Sequence, residues 1–260
     1  MSRTWSFTDV EFVALWEGVT DEALVAPLTF TSRTPRIDAY KREMHTVRAR
    51  LSARLGPTFT PVMQTISRPD IRITAQGWNG AKPEDPTAII RVLGARQGQQ
   101  AYVVEQLPGE TIWHSGGFRI TECEVIGLAG AVVAYLPDTG AGQTEDVAIT
   151  IPGGDGMDHR YGRSVATRSV EDTLSSVSDA LLRKPVSRLG IIRVLQGRSI
   201  YGPRGLTEHT ISWRDVIDDG RYAIGPGTPP VLRGVDARRL TEMTNVRVAE
   251  VVRAIKDETA

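Results

Sequence analysis

The sequence has little of several features that would place it in a common class. It has one cysteine, Cys123, so no disulfide can form within the chain. It has no excess of charge, because 31 basic side chains balance 31 acidic ones, which disfavours a general nucleic-acid or membrane-surface partner. No apolar run approaches the roughly 20 residues that span a bilayer, and residues 1–7 lack the basic and apolar regions of a secretory signal. These absences predict a cytoplasmic protein without membrane insertion.

The chain is long and apolar enough for a full core, with 260 residues of which 40% are hydrophobic. The first predicted helix covers residues 9–18. Thr8 and Glu11 have the spacing of a capping box, and Phe7 and Phe12 have the spacing of a hydrophobic staple. This combination indicates where the helix begins.

A second amphipathic helix is predicted from Thr34, with Pro35 in its first turn, to the break at Gly56. The residues after it alternate between apolar and polar or are rich in β-branched side chains, which is typical of strands. The predicted strands are residues 70–76, 87–95, 99–106 and 118–126. The polar segment from Asn79 to Pro86 breaks this pattern and predicts an exposed hairpin loop.

The second half begins with residues 137–164, which have the least regular pattern and predict a flexible linker around Pro152 to Gly156. Regular patterns return after it, and the chain ends in a long amphipathic helix. The predicted elements are a helix over about 169–184, strands at 189–195 and 206–213, and a helix over about 236–256.

The order of elements repeats along the chain. A helix, Arg68-Pro69 and a strand–loop–strand unit occur in the first half, and a helix, Lys184-Pro185 and a second such unit follow later. Five identical residues, at 89–93 and 191–195, suggest a different alignment, to which we give less weight than to element order. Chance explains this much similarity equally well. If the repeat is real, the fold is α/β (α+β), with a mainly antiparallel sheet shared by two related halves.

The chemistry-bearing residues do not form a recognisable catalytic pattern. The carboxylates of Glu122 and Glu124 flank Cys123 and would raise the thiol pKa, which favours a structural, half-buried cysteine. No histidine has a second ligand at a spacing typical of zinc. The glycine-rich segment at 153–156 has no adjoining helix or lysine, so a linker is favoured over a phosphate loop.

Asp215, Asp218 and Asp219 form the densest group of carboxylates. Such a group can hold a divalent cation, because hard cations bind several oxygens, but a turn before Gly220 explains the residues as well. One alternative function is therefore a small enzyme that acts on a phosphorylated or carboxylated ligand through arginines and Asp215 or Asp219.

Three segments of the sequence form a recognisable combination. They are the run from Phe7 to Glu17, the strand from Gly190 to Leu195, and the C-terminal Trp213-Arg214-Asp215 with Asp219-Gly220-Arg221-Tyr222. Together they resemble the EspG family of type VII (ESX) secretion-associated chaperones of actinobacteria. The resemblance covers nearly the whole chain and implies a single domain over residues 1–260. The possible related halves are then about 1–136 and 165–260, joined by 137–164.

The resemblance implies a cytosolic protein without catalysis, cofactor or metal, and a pseudo-twofold fold with helical bundles on a central sheet. It implies binding of the apolar tip of a PPE-type protein, in a PE–PPE pair, by a chaperone that is a monomer or a weak homodimer. The implied contacts are a loop between early strands, the sheet face and the C-terminal bundle. By position these regions contain Trp78, Asn79, Lys82, Glu84, Asp85, Leu240, Met243 and Val248.

Two tryptophans and one further function stay open at this point. Trp78, at the edge of the loop, is either an interface anchor, since tryptophan is enriched at interfaces, or a core residue at the edge of the sheet. Trp213 is expected in the core. A scaffold or regulator with the same fold and another protein partner is an alternative to the chaperone.

Overall fold

The computed structural model describes residues 2–20, 22–149 and 178–259. Their strands form one sheet, and every pair of named strands in it is antiparallel. The strands are β1 Thr4–Phe7, β2 Ile71–Asn79, β3 Ile90–Gln97, β4 Gln100–Pro108, β5 Ser115–Cys123, β6 Val147–Ala148, β7 Val186–Gln196, β8 Glu208–Val216, β9 Gly220–Ile224 and β10 Val231–Gly234. The helices are α1 Asp9–Trp16, α2 Ile37–Leu55, α3 Thr60–Ser67, α4 Leu128–Val133 and α5 Ala237–Thr259. Residues 178–183 are also helical.

The start of α1 follows the predicted capping box. The backbone N–H of Glu11 donates to Thr8 Oγ1 at 3.2 Å, and the backbone N–H of Thr8 donates to Glu11 Oε2 at 3.0 Å. Phe7 and Phe12 lie in the same buried cluster, as a hydrophobic staple requires. Both orphan donors at the helix start are therefore satisfied by side chains.

The start of α2 was predicted three residues too early. The helix begins at Ile37, after Arg36 in an extended conformation, and Arg36 makes no side-chain cap. The hydroxyl of Thr34 instead donates to Glu43 Oε2 at 2.6 Å, so it orients a side chain of the second turn. A threonine before a helix therefore did not mark its N-cap.

The order of strands in the sheet is β1-β5-β4-β3-β2-β7-β8-β9-β10-β6. Outward from the central β2–β7 pair, the first half adds β3, β4, β5 and β1, and the second adds β8, β9, β10 and β6. Each half therefore follows the same strand path outward from the centre. The shared pentapeptide lies in β3 and β7, which are not equivalent strands on this path. The division into related halves stays a prediction.

The two faces of the sheet have different covers. On one face α4 and α5 pack against a large apolar cluster that includes Ile73, Val92 and Ile192. On the other face α1, α2 and α3 cover the first half, where Leu93 and Phe118 are buried. In the second half of that face, Leu181 of the helical residues 178–183 packs against Tyr222 and Leu232. The predicted mainly antiparallel α+β architecture is therefore confirmed.

Trp213 is 2% exposed, which confirms the prediction of a core residue. Its ring lies over Gly77 and Gly190, which are directly opposed on β2 and β7. A Cβ at either glycine would approach Trp213 Cζ2 to 2.7 Å, closer than carbon atoms pack. The glycines thus make room for the indole at the centre of the sheet.

Part of the predicted flexible linker is structured. β6 pairs with β10, the backbone N–H of Gln143 donates to Asp219 Oδ1 at 2.9 Å, and that of Thr144 donates to the Tyr222 hydroxyl at 3.0 Å. These bonds hold residues 137–149 against the edge of the sheet, in contrast to the prediction. The glycine-rich segment at 152–156 and the predicted helix start near 169 lie outside the described residues.

Candidate partner-binding surface

One face of β2 and β7 is not covered by the described helices. Along β2 the side chains of Ile71, Ile73 and Ala75 point to α4 and α5, so the alternate residues point the other way. We call this side the open face. It consists of Arg72, Thr74, Gln76 and Trp78 of β2 with Leu189, Ile191, Arg193 and Leu195 of β7, and all but Thr74 are half-buried or exposed.

The open face is concave near its middle. A cavity of about 320 Å³ lies between β2, β7 and the segment Val25–Pro27. The side chains of Ile191 and Leu195 form apolar parts of its lining. A strand with apolar side chains on both faces normally has cover on both sides. Ile192 and Val194 of β7 are covered by the core, whereas Ile191 and Leu195 have no helix above them among the described residues. The open face is therefore suited to an apolar partner.

The β2–β3 loop stands at one end of the open face and has a defined shape. Asn79 Oδ1 accepts from the backbone N–H groups of Ala81 and Lys82 at 2.8 and 3.0 Å. Asp85 Oδ1 accepts from the backbone N–H of Thr87 at 3.0 Å and from its hydroxyl at 2.7 Å. The Thr87 hydroxyl, followed by its N–H, lowers the pKa of the Asp85 carboxyl. Asn79 and Asp85 thus order the loop.

The loop turn also shortens β3. Residues Pro86–Ala88 form a 3₁₀ turn with Asp85 as its N-cap, so β3 begins at Ile90 and not at the predicted position 87. Arg188 Nη1 of β7 donates to the Ala88 carbonyl at 2.9 Å and holds the end of the loop. Of the loop residues predicted from the sequence, Lys82 and Glu84 are exposed.

Trp78 lies on the open face, opposite Leu189 of β7. It is half-buried, and the four apolar clusters found among the described residues do not include it. Its ring is therefore partly accessible next to the loop, which favours the interface interpretation over the core one.

The three residues predicted on the C-terminal helix lie on the opposite side of the sheet. Leu240 is 0% exposed in the core between α5 and the sheet, so its side chain is not available to a partner and it is withdrawn from the site. Met243 and Val248 are partly buried against the same cluster. Sequence reasoning used the apolar stripe of α5 but missed Ile191 and Leu195. The apolar residues on both faces of β7 were the available signal.

Of the three aspartates considered for a cation, Asp215 and Asp219 have partners within the protein, and Asp218 is exposed in the turn before Gly220. Arg221 donates from Nε and Nη2 to the two oxygens of Asp215 at 2.6 and 2.9 Å, and both side chains are buried. Asp219 accepts from Lys184 Nζ at 2.8 Å and from the Tyr222 hydroxyl at 2.9 Å. Within the described ranges, no three His, Cys, Asp or Glu residues form a metal-type group.

Cys123 is half-buried at the end of β5. Burial, and then the negative charge of Glu122, raises the pKa of its thiol to about 11. The direction agrees with the prediction, although burial is the larger cause. At neutral pH the sulfur is a thiol and a poor nucleophile.

An antiparallel sheet whose ordered loop adjoins exposed apolar side chains, with no described helix above them, is suited to binding another protein. The family model "EspG family" matches residues 8–244, and the chain therefore belongs to the EspG family, as its motifs predicted. In the part of the chain that the structure describes, no helix combines the length and hydropathy needed to cross a membrane.

Among solved structures, the chain is similar to the type VII secretion system chaperone EspG5 of Mycobacterium tuberculosis, solved in complex with a PE25–PPE41 dimer. The two are 12% identical, with a TM-score of 0.56, over 95% of this chain and 96% of that one. At this identity the likeness establishes the fold. The comparison with curated proteins finds no match.

Proposed function

We propose that this protein is a cytosolic type VII secretion chaperone that binds a PPE-type protein, paired with its PE partner, and keeps it soluble before export. Membership of the EspG family is the observation that carries the proposal. The related EspG5 structure, which contains a PE–PPE dimer, supports the choice of partner.

The client surface in this proposal is the open face together with the β2–β3 loop. An exposed apolar tip on a client tends to self-associate, because its burial is favourable by about 25 cal/mol per Å². The open face offers competing apolar contacts in Ile191, Leu195 and Trp78, next to the polar rim of Lys82 and Glu84. Met243 and Val248 belong to the proposal only if α5 shifts on binding.

The proposed role requires no catalysis. Asp215 and Asp219, the residues on which the enzyme alternative depends, are held by Arg221 and Lys184. A high thiol pKa makes Cys123 unsuited to nucleophilic attack. Binding by shape and apolar contact is the function that these features favour.

Co-expression with the PE–PPE pair from the same gene neighbourhood tests the proposal. We expect the chain to co-purify with the pair and to increase the soluble fraction of the PPE-type protein. Ile191→Asp should abolish co-purification because it replaces an apolar contact with the client by a charge that must be desolvated on binding. The same substitution at Ile126, which is 91% exposed at the far end of β5, is the matched control.

The unfolding midpoints of both variants must stay close to that of the wild type for the comparison to hold. Absence of co-purification with the wild-type chain contradicts the proposal. Capture of a different, stoichiometric protein through the same surface, with no effect on the solubility of the PE–PPE pair, would instead support the scaffold or regulator alternative.

A further inference from the structure

The open face carries an unusual set of cations for a chain with no net charge. Arg72 of β2 and Arg193 of β7 belong to it, and Arg214 of β8 shares the same side because it opposes Leu189. Arg193 stands opposite Thr74, so it is a diagonal neighbour of Arg72, at a Cα separation of about 7–8 Å for such pairs. Apolar side chains of Ile191 and Leu195 alternate with these charges.

These arginines are incompletely neutralised by the protein. The Nε groups of Arg72 and Arg214 are buried and have no hydrogen-bond acceptor. No hydrogen bond or ion pair connects Arg72 to any described residue, and Glu22 acts on it only through space. Burial lowers the pKa of Arg72 and of Arg214, as expected where charge is partly desolvated.

Among the described residues, the acidic groups that act on Arg72 and Arg193 are Glu22 and Glu208, respectively. Glu208 lies 3.5 Å from Arg193, through Oε1 and Nε, and both side chains are about half exposed. Arg214 Nη2 donates to the Lys184 carbonyl at 3.3 Å, which is a neutral acceptor. Buried polar groups normally have partners, whereas the guanidinium groups of Arg72 and Arg214 are charged, half-buried and incompletely paired, which favours a negatively charged acceptor on a partner.

We propose that the open face selects a client segment that is acidic as well as apolar, and that a client carboxylate accepts the hydrogen bond from Arg72. This inference rests on the proposed function, since the client is the PPE-type protein of the pair. Arg193 and Arg214 add long-range attraction for the same segment, while Ile191 and Leu195 contact its apolar residues. Opposite charge on the two surfaces sets both the choice of client and the rate of encounter.

The test measures the affinity of the purified PE–PPE pair for three variants that each lose one positive charge at similar side-chain volume. Arg72→Met and Arg193→Met change the open face, and Arg253→Met changes an exposed position on α5, behind the sheet. We expect Arg72→Met to weaken binding about 30-fold or more, as truncation of a desolvated charge pair does. Arg193→Met should weaken it less, and Arg253→Met should change it less than about twofold.

Salt provides the second readout. Raising NaCl from 0.05 to 0.5 M should weaken binding of the wild type more than binding of Arg72→Met, because screening acts on the charges that the variant lacks. Equal unfolding midpoints for all variants exclude a folding defect. If Arg72→Met destabilises the chain, the inference is tested instead by the affinities of Arg193→Met and of the charge reversal Arg193→Glu, because Arg193 is exposed.

Wild-type affinity in both open-face variants overturns this inference alone and leaves the chaperone proposal standing. Equal weakening by Arg253→Met also overturns it, because the effect is then one of net charge. Absence of any wild-type binding overturns the proposed function and this inference together. Self-association of the free chain that Arg72→Glu abolishes would assign the open face to a second copy instead.

Discussion

Arg221 and Asp215 form an ion pair whose side chains are only 1% and 3% exposed. Besides its two bonds to the carboxylate, Arg221 donates from Nη2 to the Pro137 carbonyl at 2.8 Å, and its guanidinium lies 5.1 Å from the Trp213 ring centroid. Water does not reach the pair, so removal of one partner leaves the other charge buried and unbalanced. The pair is therefore a sensitive test of the packing of the second half.

We expect Asp215→Asn and Arg221→Met each to lower the free energy of unfolding by about 3–5 kcal/mol, the usual cost of breaking a buried pair. Whole domains are stable by roughly 5–15 kcal/mol, so either loss is large. With about 2–4 °C per kcal/mol for a chain of this size, the melting temperature should fall by roughly 6–20 °C. The double variant Asp215→Asn/Arg221→Met should lose less than the sum of the two single losses, because it leaves no unpaired charge.

Urea unfolding followed by circular dichroism, for the wild type, both single variants and the double variant, gives the coupling energy directly. Single losses below about 1 kcal/mol, or a double loss equal to the sum of the single ones, would refute the buried ion pair. Mg²⁺ and Ca²⁺ should leave the wild-type midpoint unchanged. A rise that Asp215→Asn removes would restore the cation-site interpretation.

Three further predictions concern the centre of the sheet, the first helix and the thiol. Gly77→Ala should lower the free energy of unfolding in urea by about 1–3 kcal/mol, because the added Cβ meets the Trp213 indole. In a Trp213→Leu background the loss should be smaller, and equal losses in both backgrounds would exclude that clash. Thr8→Ala should cost about 1 kcal/mol and Thr8→Ser much less, since only alanine lacks the capping hydroxyl; similar losses would show that the methyl group matters instead. Cys123 should react slowly with iodoacetamide at pH 8, where a pKa of about 11 leaves about 0.1% thiolate. The alkylation rate of Cys123 should rise tenfold per pH unit, and in urea it should approach the rate of a free thiol. Fast reaction of the folded chain at pH 8 would contradict the burial of the sulfur.

Local signals predicted much of the fold. The capping box of Thr8 and Glu11, the period-two alternation of β2 and the apolar stripe of α5 each depend on residues close in sequence. Such patterns specify an element and its apolar side, because burial acts on neighbouring turns or alternate residues of one segment. The start of α2 was missed because the Thr34 hydroxyl binds Glu43, a choice made by side-chain packing.

The candidate site was predicted less well. The position of the loop from Asn79 to Asp85 came from the resemblance together with the polar break between two strands. The residues taken from α5 proved to lie behind the sheet, with Leu240 in the core. An apolar stripe shows which side of a helix is buried. It does not show which face of the sheet the helix packs against.

The sequence by itself determined the balance of charge, the single thiol, the family and the order of the longer helices and strands. The short strands β1, β6, β9 and β10 were not predicted. The tertiary structure alone decided that β2 pairs with β7, and that Ile191 and Arg72 share a face that no described helix covers. The reason is physical. Local sequence patterns indicate whether a side chain is buried. The residues that it contacts depend on which strands, distant in sequence, lie next to each other in the sheet.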